Sequence, residues 1–150
     1  MNTGDIVPDF TLPDQAGVPR TLSELLTDGP VVLFFYPAAG TAGCTKESCH
    51  FRDLAGEFRA LGAQRVGISM DSVDRQKGFA DAHGFDYPLL SDADGEVARL
   101  FGVKRAFDFL KVRRTTFVID RDRTVLARFI SETKMDAHAD EALAVLRARS

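Results

Sequence analysis

The longest unbroken run of apolar side chains in this 150-residue chain covers residues 31–36. Most of these residues are β-branched or aromatic, and they do not alternate with polar ones, which predicts a strand buried on both faces. Pro37 ends this strand, because proline cannot donate a ladder hydrogen bond. Residues 65–70 predict a second buried strand. Together the two segments predict a sheet covered on both sides.

Helical spacing of apolar residues follows each predicted strand. We expect a helix over about residues 43–61, whose apolar stripe consists of Phe51, Leu54, Ala55, Phe58 and Leu61. A second helix, capped by Asp71 or Ser72, is expected to run to about His83. A terminal helix from Asp136 carries one apolar stripe, formed by Ala139, Ala142, Leu143 and Leu146.

Shorter elements complete the predicted order. Extended pieces at residues 10–12 and 18–20 precede a capping box over residues 21–24, which would open a short helix to Leu26. The remaining predicted elements are a short strand at 87–90, a short helix after Asp94-Gly95, and a hairpin of strands 115–119 and 124–130. We therefore predict one α/β domain over residues 1–150, with a central mixed sheet, helices on both faces and an N-terminal extension. This order is compatible with a thioredoxin-like fold.

Composition and charge narrow the function classes. The chain is 45% hydrophobic and 27% charged, as in an ordinary globular protein. Its net charge of −3 argues against nucleic-acid binding, which needs a basic excess. No apolar run reaches the roughly 20 residues of a membrane helix, and the first residues lack the pattern of a signal peptide. We expect a cytoplasmic protein that binds neither nucleic acid nor membranes.

The two cysteines, Cys44 and Cys49, indicate chemistry rather than architecture. A chain of this length buries roughly 70% of its unfolded surface and needs no disulfide to fold. Cys44 lies at the start of a predicted helix, directly after the loop that leaves a predicted central strand. Sites in open α/β sheets form beyond the carboxyl ends of strands, and a helix N-terminus favours a thiolate.

Helix geometry constrains this pair of thiols. Residues five apart in a regular helix have Cα atoms about 8.6 Å apart, whereas a disulfide requires less than about 7 Å. A Cys44–Cys49 disulfide would therefore require the first helical turns to unwind. An ordinary cysteine is about 3% thiolate at pH 7, so complete ionisation would raise the thiolate fraction only about 30-fold. A fast reaction therefore also needs groups that stabilise the transition state.

Other interpretations of the cysteines remain open at this point. Two thiols that merely pack in a core are common. Zinc binding by Cys44, Cys49 and His50 is a second alternative, although this spacing exceeds that of a compact zinc knuckle. His83 and His138 are expected on helix surfaces, and the C-x-x-C pattern of a dithiol oxidoreductase is absent.

The segment PAAGTAGC at residues 37–44 resembles the P-x-x-x-T-x-x-C active-site signature of peroxiredoxins. Its continuation to Asp53 is similar to the bacterioferritin-comigratory-protein (Q-type) subfamily, which has a second cysteine five residues later. Further similar segments occur near the start, in the middle and at RTTFVID, residues 114–120, so the resemblance covers essentially the whole chain. It implies a thioredoxin-like fold and a thiol peroxidase.

The resemblance also implies a role for individual residues. Cys44 would attack the peroxide and become a sulfenic acid, Thr41 would hydrogen-bond the thiolate and the peroxide, and Pro37 would shield the sulfur. Arg114 would meet the negative charge that develops on the leaving oxygen. Cys49 would resolve the sulfenic acid as an intramolecular disulfide, which a thioredoxin-type protein would then reduce. No metal, haem or flavin is implied.

Three finer expectations follow from the same comparison of patterns. Arg114 is favoured over Arg113 because the matched pattern has arginine immediately before Thr-Thr-Phe. Glu47 either orients an arginine or is simply a favourable acid in the first helical turn. The apolar side chains of residues 106–110 are expected to cover core; the alternative is a rim that contacts bulky hydroperoxides or a reductase.

The chain departs from the subfamily pattern near the first cysteine. Ala42 replaces a usual proline, Ser48 replaces a usual alanine, and Gly40 adds backbone freedom to the loop. Arg123 stands where related chains often have glycine, which leaves the type of that turn open.

An alternative function is a peroxide-sensing switch that passes its oxidation to a partner protein. We expect a monomer first and a dimer second, because no further cysteine follows the terminal helix to form an intersubunit disulfide.

Overall fold

The computed structural model describes residues 1–105 and 111–149. The strands are β1 (Thr11–Pro13), β2 (Pro19–Thr21), β3 (Val31–Phe35), β4 (Gln64–Ser69), β5 (Leu89–Ser91), β6 (Thr115–Ile119) and β7 (Val125–Ile130). The helices are α1 (Leu22–Leu25), α2 (Ala42–Asp53), α3 (Ala55–Ala60), α4 (Val73–His83), α5 (Glu96–Leu100) and α6 (Met135–Arg149), and a short 3₁₀ turn (Leu26–Asp28) follows α1. The apolar segment 106–110 lies outside the described residues.

Five strands form one mixed sheet in the order β5-β4-β3-β6-β7. β3 is parallel to β4 and antiparallel to β6, so the predicted mixed sheet is confirmed. All five residues of β3 are buried, as the unbroken apolar run predicts for a central strand. β1 and β2 pair with each other as a separate two-stranded sheet, which is the expected N-terminal extension.

Alternate side chains of β3 point into two separate cores. Val31, Leu33 and Phe35 pack with residues of α1 and α5, whereas Val32 and Phe34 pack with residues of α2, α4 and α6. Helices therefore cover both faces of the sheet, as the sequence predicts.

The helix predicted over residues 43–61 is divided into α2 and α3. Leu54 separates them, with φ −95° and ψ 19°. The carbonyl of Phe51, in the last turn of α2, accepts a hydrogen bond of 2.9 Å from the guanidinium of Arg65 on β4. A side chain from the neighbouring strand thus binds the backbone beside the break, which local periodicity does not reveal.

The predicted capping box at α1 is wrong. Thr21 occupies the N-cap position but makes no side-chain cap bond, because its hydroxyl pairs with that of Thr11 at 2.8 Å. The carboxylate of Asp9 accepts instead from the backbone N–H of Ser23 at 2.9 Å and from its hydroxyl at 2.7 Å. An acidic side chain that precedes β1 therefore takes over the capping role.

The cap of α4 is Ser72, one of the two predicted candidates. Its hydroxyl accepts from the backbone N–H of Arg75 at 3.2 Å.

At the turn between β6 and β7, Arg123 has φ +71°, a left-handed conformation that favours glycine. No described helix is long and apolar enough to cross a membrane.

Candidate active site

Cys44 lies in the first turn of α2, just beyond the carboxyl end of β3, and its side chain is fully buried. Thr41 is the N-cap residue, and its carbonyl accepts the backbone N–H of Thr45 at 2.9 Å. The N–H groups of a first turn have no helical acceptors and carry partial positive charge. Cys44 therefore lies at the positive end of the α2 dipole.

The loop between β3 and α2 is tied to the end of β4. Pro37 is buried in this loop, and the backbone N–H of Ala39 donates to the Asp71 carboxylate at 2.7 Å. The Ser69 hydroxyl donates to the same carboxylate oxygen at 2.7 Å. The sequence indicated Asp71 only as a possible helix cap, but in the structure it anchors the cysteine loop. Local sequence patterns do not indicate this contact, because it joins residues 32 positions apart.

Strand register brings Arg114 to the cysteine. Phe35, the last residue of β3, pairs with Thr115, the first residue of β6. Because the two strands are antiparallel, the residue before β6 lies beside the loop that follows β3. Arg114 is buried there, whereas Arg113 is exposed. The structure therefore separates the two neighbouring arginines that sequence alone distinguished only weakly.

The guanidinium of Arg114 joins Cys44 to Glu47. Its Nη2 atom lies 3.4 Å from Sγ of Cys44, and its Nη1 atom donates to Oε1 of Glu47 at 2.8 Å. Glycine at position 43 leaves room for this approach, since an added Cβ would lie 3.2 Å from Nη2. Of the two interpretations of Glu47, its contact favours the one in which it orients an arginine.

Burial and charge act against each other where Arg114 contacts Glu47. Loss of hydration raises the pKa of Glu47 to about 8, although the Arg114 guanidinium opposes the shift. For Arg114, burial acts to lower the pKa, but the neighbouring Glu47 and Cys44 raise it overall. The guanidinium therefore remains charged, while the carboxyl holds its proton up to slightly alkaline pH.

The expectation that His138 lies on a helix surface is wrong. Its side chain is only 1% exposed, with Nδ1 2.7 Å from the Thr116 hydroxyl and Nε2 2.8 Å from the Ser131 carbonyl. Nδ1 also lies 3.5 Å from Oε2 of Glu47. The sequence pattern could have indicated that His138 is buried. It lies four residues before Ala142 and therefore belongs to the buried stripe of α6.

Thr41 is exposed next to the cysteine, and its hydroxyl donates to the Ala38 carbonyl at 2.8 Å. A hydroxyl has one proton, so in this arrangement it does not donate to the sulfur. Its oxygen retains lone pairs that can accept a proton from a bound peroxide. The predicted role of Thr41 towards the thiolate stays a prediction.

Cys49 is half-buried and lies in the same helix as Cys44; both thiols are free. The expected geometry, two thiols five residues apart in one helix, is present. His50 contacts the carboxylate of Asp140 at 2.8 Å, and no group of three metal-binding side chains occurs within residues 1–105 and 111–149. The zinc alternative therefore has no supporting geometry there.

The chain is similar to several known proteins. The model of the AhpC/TSA family matches residues 3–128. The crystal structure of peroxidoxin BcpB from Mycobacterium tuberculosis is similar with a TM-score of 0.97 and 65% identity, covering 100% of this chain and 99% of that chain. A chloroplastic peroxiredoxin Q of Sedum lineare is 39% identical over 147 residues, which are 98% of this chain and 78% of that protein.

A further similar structure is the bacterioferritin comigratory protein of Xanthomonas campestris, solved in connection with its alkyl peroxide reduction activity. Its TM-score is 0.84 at 32% identity, and the alignment covers 93% of this chain and 91% of that chain.

Proposed function

The chain belongs to the AhpC/TSA family of peroxiredoxins, with their thioredoxin-like fold, and from this premise we propose that Cys44 reduces hydrogen peroxide and organic hydroperoxides. The observation that carries the proposal is the buried Cys44 sulfur at the start of α2, 3.4 Å from Nη2 of Arg114. A sulfur nucleophile and a fixed cation at one point are the groups that peroxide reduction requires.

In the first step, a lone pair of the Cys44 thiolate attacks one peroxide oxygen. The S–O bond forms as the O–O bond breaks, so the sulfur is oxidised to a sulfenic acid and the peroxide is reduced. The leaving oxygen departs as hydroxide or alkoxide and takes a proton from solvent to become water or an alcohol. Arg114 stabilises the charge on that oxygen, Thr41 binds the peroxide, and Pro37 shields the sulfur.

In the second step, the Cys49 thiolate attacks the sulfenic sulfur. The disulfide forms, and the hydroxyl leaves with a proton as water. Both thiols belong to α2, whose geometry keeps their Cα atoms about 8.6 Å apart, so the helix must first unwind locally. A thioredoxin-type dithiol then reduces the disulfide and is itself oxidised. We propose this cycle for a cytoplasmic monomer that needs no metal, haem or flavin.

The test is peroxide consumption driven by thioredoxin, thioredoxin reductase and NADPH. Wild type should turn over, and Cys44→Ser should not. Equal consumption by wild type and Cys44→Ser would refute the proposal.

The second thiol has its own test. Mass spectrometry of the peroxide-treated wild type should show a Cys44–Cys49 disulfide, and Cys49→Ser should stop at a sulfenic acid. If Cys49→Ser turns over normally and wild type never forms that disulfide, the resolving role of Cys49 is wrong while the peroxidase remains. Slow thioredoxin-linked turnover, combined with fast transfer of the disulfide to another protein, would favour a sensing switch instead.

A further inference from the structure

A buried chain of polar side chains continues beyond the Arg114–Glu47 hydrogen bond towards the C-terminal helix. Glu47 uses Oε1 to accept from Arg114, while its other oxygen, Oε2, is buried and has no hydrogen-bond partner in the part of the chain that the structure describes. The ring of His138 faces this oxygen, with Nδ1 at 3.5 Å. Both side chains are almost completely enclosed, so water does not screen their interaction.

The hydrogen bonds of His138 assign its proton. The Ser131 carbonyl can only accept, so Nε2, which lies 2.8 Å from it, carries a hydrogen. In the uncharged ring Nδ1 is then an acceptor, and the Thr116 hydroxyl at 2.7 Å donates to it. Burial lowers the pKa of His138, which keeps the ring uncharged at neutral pH.

The uncharged ring places a lone pair opposite a carboxyl oxygen. Two electron-rich atoms, Nδ1 of His138 and Oε2 of Glu47, face each other, which disfavours negative charge on Glu47. The other charged or titratable groups around this pair are Arg114, which directly precedes β6, Glu132, which precedes α6, and Tyr87, which precedes β5. Cys44 of α2 lies behind Arg114. Glu132 also disfavours a negative Glu47, whereas Arg114 favours it.

We propose that His138 is a positioning residue of the peroxidase site, which keeps Glu47 uncharged so that the positive charge of Arg114 acts on Cys44 and the peroxide. This inference rests on the proposed function of Cys44. An ionised Glu47, 2.8 Å from Nη1, would cancel much of the field of the guanidinium where the leaving oxygen becomes negative. The peroxidase rate should therefore fall as Glu47 loses its proton. Burial is the main cause of the raised Glu47 pKa, and the facing Nδ1 of His138 moves the fall to still higher pH.

The decisive variant is His138→Gln. A glutamine amide can still donate to the Ser131 carbonyl, but it places no lone pair at the position of Nδ1. We expect the alkaline fall in the second-order rate constant of Cys44 oxidation by hydrogen peroxide to move to lower pH by about half a unit or more. Rates come from rapid quenching, thiol alkylation and mass spectrometry across the pH range.

Thr116→Val provides a variant with the opposite expected effect. Without the threonine hydroxyl, Nδ1 becomes free to accept the proton of the neutral Glu47 carboxyl, which stabilises that form. The alkaline fall should then move to higher pH. His83→Gln is the matched control, because it changes the same residue type on α4, outside the chain of contacts that joins His138 to Arg114, and should leave the fall in place.

Carbon NMR of the Glu47 carboxyl, assigned with Glu47→Gln, follows the same ionisation without using activity. The midpoint should move with His138→Gln in the same direction as the rate profile. Midpoints equal to wild type in both His138→Gln and Thr116→Val, or a rate loss of equal size at every pH, would overturn the proposal. If Cys44→Ser keeps the peroxidase rate, the proposed function fails instead, and the NMR midpoints still decide the role of His138.

Discussion

Gly43 and Arg114 are in such close contact that a methyl group on the glycine would lie 3.2 Å from the guanidinium Nη2. The same methyl would lie 3.2 Å from Cε of Met135. The residue before the reactive cysteine thus sets how closely the arginine approaches the sulfur, which lies 3.4 Å from Nη2.

Gly43→Ala should therefore lower the rate of peroxide reduction. The added methyl requires Arg114 or Met135 to move by a few tenths of an ångström. A shift of Arg114 weakens its contact with the sulfur, so the rate should fall, but by less than the roughly 10²-fold that removal of such a donor costs. Gly56→Ala is the matched control, since Gly56 is also helical and an added Cβ there meets nothing within 4 Å. That control should keep full activity and gain about 0.5–1 kcal/mol of stability. Equal activity of the two variants would contradict the expectation.

Arg114→Lys should reduce kcat/KM by about 10²-fold or more, measured by peroxide consumption. One ammonium cannot reproduce the planar fork that reaches Oε1 of Glu47 and Sγ of Cys44 through two different nitrogens. Arg113→Lys makes the same change at an exposed neighbour and should leave kcat/KM unchanged. The prediction fails if both substitutions have the same effect.

Ala42→Pro should stabilise the reduced protein by about 0.4–1 kcal/mol in denaturant unfolding. Ala42 is the first helical residue after the N-cap Thr41, where proline is favoured, and Thr41 has ψ 156°, which suits a residue before proline. Because the disulfide requires these turns to unwind, its formation should also slow. An unchanged rate of disulfide formation in a stabilised variant would show that unwinding of this turn does not limit the step.

Glu47 should make the stability of the protein depend on pH. The pKa of a glutamate carboxyl is about 4.3 in an unfolded chain, and burial raises the pKa of Glu47 to about 8 in the folded protein. Between these values the folded state binds more protons, so the free energy of unfolding falls as the pH rises. Glu47→Gln should remove this part of the fall, on the order of a few kcal/mol. Urea unfolding of both proteins across this range measures it, and parallel curves would contradict it.

Local patterns were enough to predict most elements, because the period of buried side chains is a local property. β3, β6 and α4 lie close to their predicted bounds, and β4 and β5 differ by one or two residues. The exceptions arise from contacts with distant residues. Asp9 replaces the predicted cap of α1, and Arg65 binds the carbonyl of Phe51 beside the break between α2 and α3.

For the candidate site, the sequence by itself determined which residue types occur and where Cys44 lies, at the start of a helix that follows a buried strand. It also determined the separation of Cys44 and Cys49, since helix geometry depends only on their spacing. Only the tertiary structure decided the partners of the sulfur. Arg114 is 70 positions from Cys44, and the antiparallel register of β3 and β6 brings the two together. The helical stripe already indicated that His138 is buried, but only the packing of α6 against the sheet decided that its ring faces Glu47.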